Sequence, residues 1–412
     1  MKADFVPTII IGGGQAGLAL SYYLTRQGYD HLILEQAQQP AEAWRHHRWD
    51  SFTLVTPNWQ ITLPGAEYHG PDPDGFLPVK DIVMYFEQYI NLFRLPVHYG
   101  VRVTAVEQAA TGYQLQTEKR VFRAANVVIA TGFYQSPKIP PYSAHLPGDV
   151  LQLPADQYRN PQALPAGAVL VVGTGQTGCQ IAEELYRSGR KVYLSVGSTG
   201  RVPRRYRGKD ILRWLYDSGF FSRTVDQLPS PKIKFNSAPH ASGTRGGHTI
   251  NLHQFARDGV VLLGHIQAIE GSKIQLAPDL KNSLAKVDQF EADVLKGIDD
   301  YIARQGIDAP VEKIPELRDG YAAEEILQLD LREQGITSVI WACGFSFDYS
   351  LVKLPVLDAD GYPIQKRGVT QFPGLYFLGL PWLHTLKSGF LFGVGEDAAY
   401  LSFVITGKNG KP

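Results

Sequence analysis

Apolar positions along this chain fall into short continuous runs that alternate with amphipathic stretches, the pattern of a parallel sheet with helices on its faces. Residues 8–11 form one run, Leu20 and Leu24 mark a helix over 18–27 closed by Gly28, and 31–35 form a second run ending in Glu35. The order returns at 169–172, at 179–187 with Ile181 and Leu185 four apart, and, beyond Gly189, at 191–196. Each is a β-α-β beginning. Residues 101–106 and 113–117 alternate around Gly112 as antiparallel strands would, and 127–130 is a further apolar strand ending at Thr131 and Gly132. Leu280, Leu284, Val287, Phe290, Val294, Ile298 and Ile302 recur every three or four residues, predicting a long helix packed on its own domain or laid as a lid over a substrate channel. Runs at 339–342 and 375–378, with a closing helix over 395–405, read as a return to the first unit.

Between strand and helix of each unit stands G-x-G-x-x-G, as Gly12, Gly14 and Gly17 and as Gly173, Gly175 and Gly178. The first glycine permits the turn, the second lets backbone approach a pyrophosphate, and the third lets helix and strand pack closely. Helix N-terminal amides then meet the phosphate charge. The expected fold is α/β, with two Rossmann-like dinucleotide-binding domains, one inserted into the other. Residues 1–165 and 335–412 form the first and 166–334 the second, the Pro/Gly-rich residues 161–167 marking the boundary. Nucleotide contacts are expected from Gly12, Gly14, Gln15, Ala16 and Gly17, and from Gly173, Gly175, Gln176, Thr177 and Gly178. A flavin reduced by a nicotinamide would need both sites.

The units differ in their next determinant. Glu35, followed by Gln36, stands eighteen residues beyond Gly17, where a carboxylate accepts from both ribose hydroxyls. The matching strand of the second unit ends at Ser195, with Arg201, Arg204, Arg205 and Arg207 soon after. Guanidinium forks suit a ribose phosphate, so NADPH is expected there through Ser195, Arg201 and Arg204, the alternative being a solvated basic loop.

At 412 residues the chain has room for two cores. Its 40 basic and 40 acidic residues cancel, so no global field favours nucleic acid or an anionic membrane, and a small molecule is the expected partner. No stretch approaches the roughly 18 uninterrupted apolar residues of a membrane helix, and no signal-like segment opens the chain, so a cytoplasmic protein is expected. A homo-oligomer is compatible with the sequence. Cys179 and Cys343 are the only cysteines, without C-x-x-C spacing, which argues against a disulfide framework, a zinc site and a redox cysteine pair. His46, His47, His240, His248 and His253 lack neighbouring Cys or carboxylate ligands, so no metal site is expected.

IIIGGGQAG, WRHHRWDSFTLVTPNW, VVIATGFY, VVGTGQTG, VIWACGF and LYFLG together resemble the flavin-containing monooxygenase superfamily, in its bacterial single-component branch, over almost the whole chain. GLPWLHTLKSGFLFGVGEDAAYL is similar to a subgroup of bacterial flavoproteins, some encoded beside nitrilases. The resemblance implies FAD at the first fingerprint, with Glu35 at the adenosine ribose and with Trp44, Arg45, Thr56 and the segment to Gln60 near the flavin. It implies further that Ala130, Thr131 and Gly132 link the domains, that Gly379 meets the ribityl chain, and that the GVGEDA helix points its N-terminus at the flavin pyrimidine. Asn58 and Gln60 are candidate catalytic donors on the flavin side, or else caps of local backbone.

The implied reaction is reduction of FAD by NADPH, capture of molecular oxygen as a flavin C4a-hydroperoxide, and oxygenation of a small nucleophilic substrate at N, S or electron-rich carbon in a dry pocket. One signature departs from the family. Where it has F-x-G-x-x-x-H-x-x-x-Y, this chain reads GDVLQLPADQY, keeping Tyr158 but placing Gly148, Val150 and Pro154 at the Phe, Gly and His positions. The departure weakens the implied coupling of NADP retention to oxygen chemistry and a Baeyer-Villiger reading. An NADPH oxidase or reductase without oxygen transfer, and a non-catalytic flavin redox sensor, are the rival readings.

Overall fold

The computed structural model describes residues 4–236 and 238–408. Its first sheet draws on both ends of the chain: Leu375–Phe377, Val121–Ile129, Asp4–Ile11, His31–Leu34 and Val97–His98 lie side by side in that order, all parallel. Ile9, Ile10, Ile33, Val127 and Val128 are fully buried, which is why these runs are continuously apolar rather than alternating. The hairpin of Val103–Gln108 and Tyr113–Thr117 flanks this sheet. Gly112 turns it at φ +69°, and a Cβ there would lie 2.2 Å from the Ala124 carbonyl oxygen.

The second sheet is also parallel, in the order Val261–Leu263, Val192–Ser195, Ala168–Val172, Ile336–Trp341 and Leu151–Pro154. In each sheet the strand leading into a fingerprint has its successor on one side and a later strand on the other. Both glycine loops therefore open at a topological switch point, where a crevice forms beyond the carboxyl ends of the strands.

The pairing corrects the expected boundaries. Ile336–Trp341, read as a return to the first unit, pairs with Ala168–Val172, and Leu151–Pro154, assigned to 1–165, pairs with Ile336–Trp341 on its far side. The crossings between sheets accordingly lie near 136–137 and 345–346 rather than at 165/166 and 334/335, and Ser136–Pro137 pairs with Phe345–Ser346, so the two crossings run together. Two parallel sheets accept the same kind of apolar strand, so local pattern cannot say which one a run joins.

Helix Leu280–Gln305 buries Leu280, Leu284, Val287, Ile298 and Ile302. Its C-terminal half shares a core with Val202, Tyr206, Ile211 and Trp214, so it packs within its own unit. Residues 211–225 reach instead to the first unit. Tyr216 meets Trp59 edge-on at 5.4 Å, Phe221 meets Phe392 at 5.1 Å, and Thr224 bridges Thr385.

Candidate functional site

The two fingerprints are built alike to the level of single atoms. Gly12 and Gly173 have φ of +109° and +106°, and a Cβ on either would lie 2.5 or 2.6 Å from the carbonyl oxygen of Ala130 or Ala342. A Cβ on Gly17 or Gly178 would lie 2.0 Å from the carbonyl oxygen of Gly12 or Gly173. These four glycines are fixed by the protein's own packing. Gly14 and Gly175 are different, since a Cβ at either would meet nothing within 4 Å. That is the room a pyrophosphate requires.

Helices Gln15–Arg26 and Gln176–Arg187 start directly behind those open glycines. Neither has a side-chain cap or an acidic residue in its first turn, so the first-turn amides and the positive end of the dipole face the open space. Gln15 and Gln176, expected as nucleotide contacts, use their side chains to hold distant loops. Gln15 Nε2 donates to Gly389 O at 2.6 Å, while the Gln176 amide both donates to Ala241 O and accepts from Ala241 N. Ala16 is buried against Gly379, whose Cβ would lie 2.4 Å from that of Ala16, and Thr177 is half-buried.

Glu35 ends its strand with Oε2 accepting from Gly13 N at 2.6 Å and Oε1 from Ala37 N at 2.8 Å. Each oxygen keeps a lone pair for a ribose hydroxyl. Gln36 beside it is exposed. Thr131 and Gly132, where the chain leaves the first sheet, are tied by Gln135, and Gly132 O also accepts from Tyr349 at 2.8 Å.

At the second fingerprint the structure reassigns the polar residues expected beyond it. Ser195 is buried and donates to Gly264 O at 3.0 Å. Arg201 is buried between Asp288 at 2.6 Å and Glu291 at 2.7 Å, both on the long helix. Arg204 is buried too, with Nε to Asp210 at 2.7 Å and Nη1 to Val55 O at 2.8 Å, its guanidinium lying over the Phe76 ring. These guanidiniums already have carboxylate partners, and a sequence shows the arginines without showing which carboxylates fold back onto them.

Of the residues expected near the flavin, Trp44 stacks on Phe86 at 6.5 Å, Arg45 pairs with Glu87 at 2.6 Å, and Thr56 is half-buried. Asn58 is engaged as a local clamp, donating to Asp72 O at 2.9 Å and accepting from Leu77 N at 2.8 Å, so its amide is not free for catalysis. Gln60 is the opposite case. It is 1% exposed, and neither its amide nitrogen nor its amide oxygen has a partner. A buried orphan amide costs stability unless a bound group satisfies it.

Tyr158, the surviving residue of the departed signature, is buried and donates to Glu184 Oε2 at 2.8 Å. Burial and this carboxylate raise its pKa, so it stays a neutral donor. Burial also pushes the Cys343 thiol up to about 11 and that of Cys179 further, leaving both protonated at neutral pH. Among the described residues no three His, Cys, Asp or Glu side chains are placed to hold a metal ion, and no helix is long and apolar enough to cross a membrane.

Two open glycine loops, each backed by an uncapped helix and each at a switch point, define a two-nucleotide oxidoreductase without a reactive cysteine pair. The chain belongs to the family described as pyridine nucleotide-disulphide oxidoreductase, which matches residues 9–224. It is 33% identical over 398 residues to an uncharacterized CzcO-like oxidoreductase of Geobacillus kaustophilus, covering 96% of this chain and 97% of that protein. The rice indole-3-pyruvate monooxygenase YUCCA1 is 28% identical over 227 residues, 52% of this chain and 55% of its own. Among solved structures, a flavin-containing monooxygenase from Stenotrophomonas maltophilia matches at a TM-score of 0.65 and 20% identity, covering 98% of this chain and 99% of that one.

Proposed function

We propose that this protein is a flavin-dependent monooxygenase that binds FAD at the Gly12–Gly14–Gly17 loop and NADPH at the Gly173–Gly175–Gly178 loop, and transfers one oxygen atom to a small nucleophilic substrate. The observation that carries the reading is the duplicated cradle, in which the middle glycine faces open space and the helix behind it is uncapped. Support comes from relatives named as monooxygenases and from a solved structure of OTEMO with FAD and NADP, similar at a TM-score of 0.57. When bound, FAD supplies hydride acceptance and oxygen activation, and NADPH supplies the hydride.

The chain's own residues bind and orient. Glu35 receives the FAD ribose hydroxyls, the amides behind Gly14 and Gly175 receive the two pyrophosphates, and Gly379 keeps its strand end against Ala16 beside the flavin. On the flavin side Gln60 presents a buried amide with both ends free, which would hydrogen-bond the flavin ring system. Burial keeps both thiols protonated and they stand far apart in sequence, so the chain would offer a bound flavin no redox-active cysteine pair.

An oxidase that releases peroxide is the second reading, favoured by the altered signature: Val150 and Pro154 are buried, and Tyr158 is turned onto Glu184. The test is to reduce the purified yellow protein anaerobically with NADPH, then admit isotopically labelled oxygen in the presence of thioethers and tertiary amines. Label in a sulfoxide or N-oxide supports the monooxygenase. Peroxide equal to the NADPH consumed, with no labelled product from any substrate tried, refutes oxygen transfer, and failure of NADPH to bleach the flavin refutes both readings.

A further inference from the structure

The two cradles correspond residue by residue. Gly12 N donates to Leu34 O at 2.9 Å and Gly173 N to Ser195 O at 3.0 Å, while Glu35 N donates to His98 O and Val196 N to Leu263 O, each at 2.9 Å. Ile11 lies beside Leu34, and Val172 beside Ser195, in the same parallel register. Val196, fully buried, is therefore the counterpart of Glu35, and Thr174 is the counterpart of Gly13.

These two exchanges belong together. Glu35 Oε2 accepts from Gly13 N at 2.6 Å, and a Cβ on Gly13 would lie 3.1 Å from that oxygen and 3.2 Å from the Glu35 Cβ, so the carboxylate needs the glycine. In the second cradle the buried Thr174 takes that place, its hydroxyl accepting from Gly197 N at 2.9 Å and donating to Gly197 O at 3.2 Å. The position that would receive ribose hydroxyls, or repel a phosphate on the ribose, thus carries no charge. The basic residues downstream are engaged elsewhere: Arg201 and Arg204 on their carboxylates, Arg205 on the carbonyls of Gly246 and Gly247, and Arg207 on Asp299 and Pro310 O. A phosphate on the ribose is then neither repelled by a carboxylate at 196 nor drawn by an unengaged guanidinium of this cluster.

We propose that the second site takes NADH as well as NADPH, with less than about ten-fold in affinity between them, and that Val196 and Thr174 are the pair that sets this tolerance. A charge-assisted hydrogen bond is worth about ten-fold or more in affinity, and neither Val196 nor Thr174 supplies one to either form of the ribose. The inference rests on the reading of this loop as the nicotinamide-nucleotide site, and it adds which forms that site admits.

The test is calorimetric titration of the oxidised, FAD-loaded protein with NADP+ and, separately, with NAD+, which needs no turnover. Dissociation constants within about ten-fold of each other are expected, and a wider gap in either direction overturns the proposal. Thr174→Gly combined with Val196→Glu transplants the determinants of the first cradle. It is expected to weaken NADP+ binding by about ten-fold or more while NAD+ binds at least as tightly as in the parent. An unchanged ratio in that variant, with FAD retained, overturns the role of the pair. Should the buried glutamate unfold it, Ser198→Arg, on the exposed loop two residues beyond Val196, carries the test. A ratio shifted about ten-fold or more towards NADP+ supports a site that lacked a cation, and an unshifted ratio overturns it. A parent protein that holds FAD and binds neither nucleotide overturns the proposed function and this inference together, whereas unequal binding of the two overturns the inference alone.

Discussion

Replacing Arg201 with alanine separates two roles this side chain could have. Its guanidinium bridges Asp288 and Glu291 with 6% of its side chain exposed, against 29% and 10% for the carboxylates. Removing one member of a buried ionic group leaves uncompensated charge and costs about 3–5 kcal/mol. Asp288 keeps hydrogen bonds from His253 and Tyr321, so the loss falls mainly on Glu291, whose Oε1 already has no partner. The lower end, about 3 kcal/mol, is therefore expected, a fall in melting temperature of about 6–12 °C at 2–4 °C per kcal/mol. Adding Glu291→Gln should return part of it, about 1–2 kcal/mol, since the pair is coupled.

The pH dependence has a definite sign. Burial acts to raise the Asp288 pKa, but hydrogen bonds from His253, Tyr321 and Arg201 together leave it well below the usual carboxylate range. Its contribution is thus present above the unfolded value of about 3.9 and is lost as pH falls below it. Asp288→Asn should lack that acid-limb loss. The assay is thermal unfolding of the FAD-loaded protein across pH, paired with NADPH and NADH affinities for each variant. An Arg201→Ala protein that melts like the parent but loses its preference for NADPH would refute the structural assignment and restore a phosphate-binding role.

Three further outcomes are expected. Gly178→Ala should misfold or lose several kcal/mol of stability because its Cβ would lie 2.0 Å from Gly173 O, whereas Gly175→Ala should fold normally and lose nucleotide affinity, as unfolding and NADP+ titration would show. Equal stability loss in both would contradict the open-cradle reading. Gln60→Leu removes a buried unsatisfied amide, so FAD-free protein should be at least as stable as the parent while FAD affinity falls about ten-fold, measured by flavin fluorescence on dilution. Unchanged FAD affinity would take Gln60 away from the flavin. With both thiols protonated by burial, the Cys179→Ala, Cys343→Ala double variant should be reduced by NADPH at the parent's rate; loss of that rate without loss of FAD would revive a thiol mechanism.

Much of the nucleotide machinery was legible because it depends on local covalent geometry. Gly12 and Gly173 need positive φ, Gly17 and Gly178 need the absence of a Cβ, and Glu35 ends a strand at fixed distance from its glycine loop. Such requirements act over a single β-α-β unit, so spacing alone carries them. Paired fingerprints, apolar strand runs, the long helix and the scarcity of cysteine were therefore readable without coordinates.

Tertiary structure alone decided what depends on partners far away in the chain. Ile336–Trp341 belongs to the second sheet because of its neighbours, not its composition. Arg201 and Arg204 hold the fold because Asp288, Glu291 and Asp210 come back to them, and Asn58 is a clamp while Gln60 is free. A sequence states which charges and amides exist, but whether each is satisfied depends on desolvation and distance, and those are set only when the two sheets and their crossings have packed together.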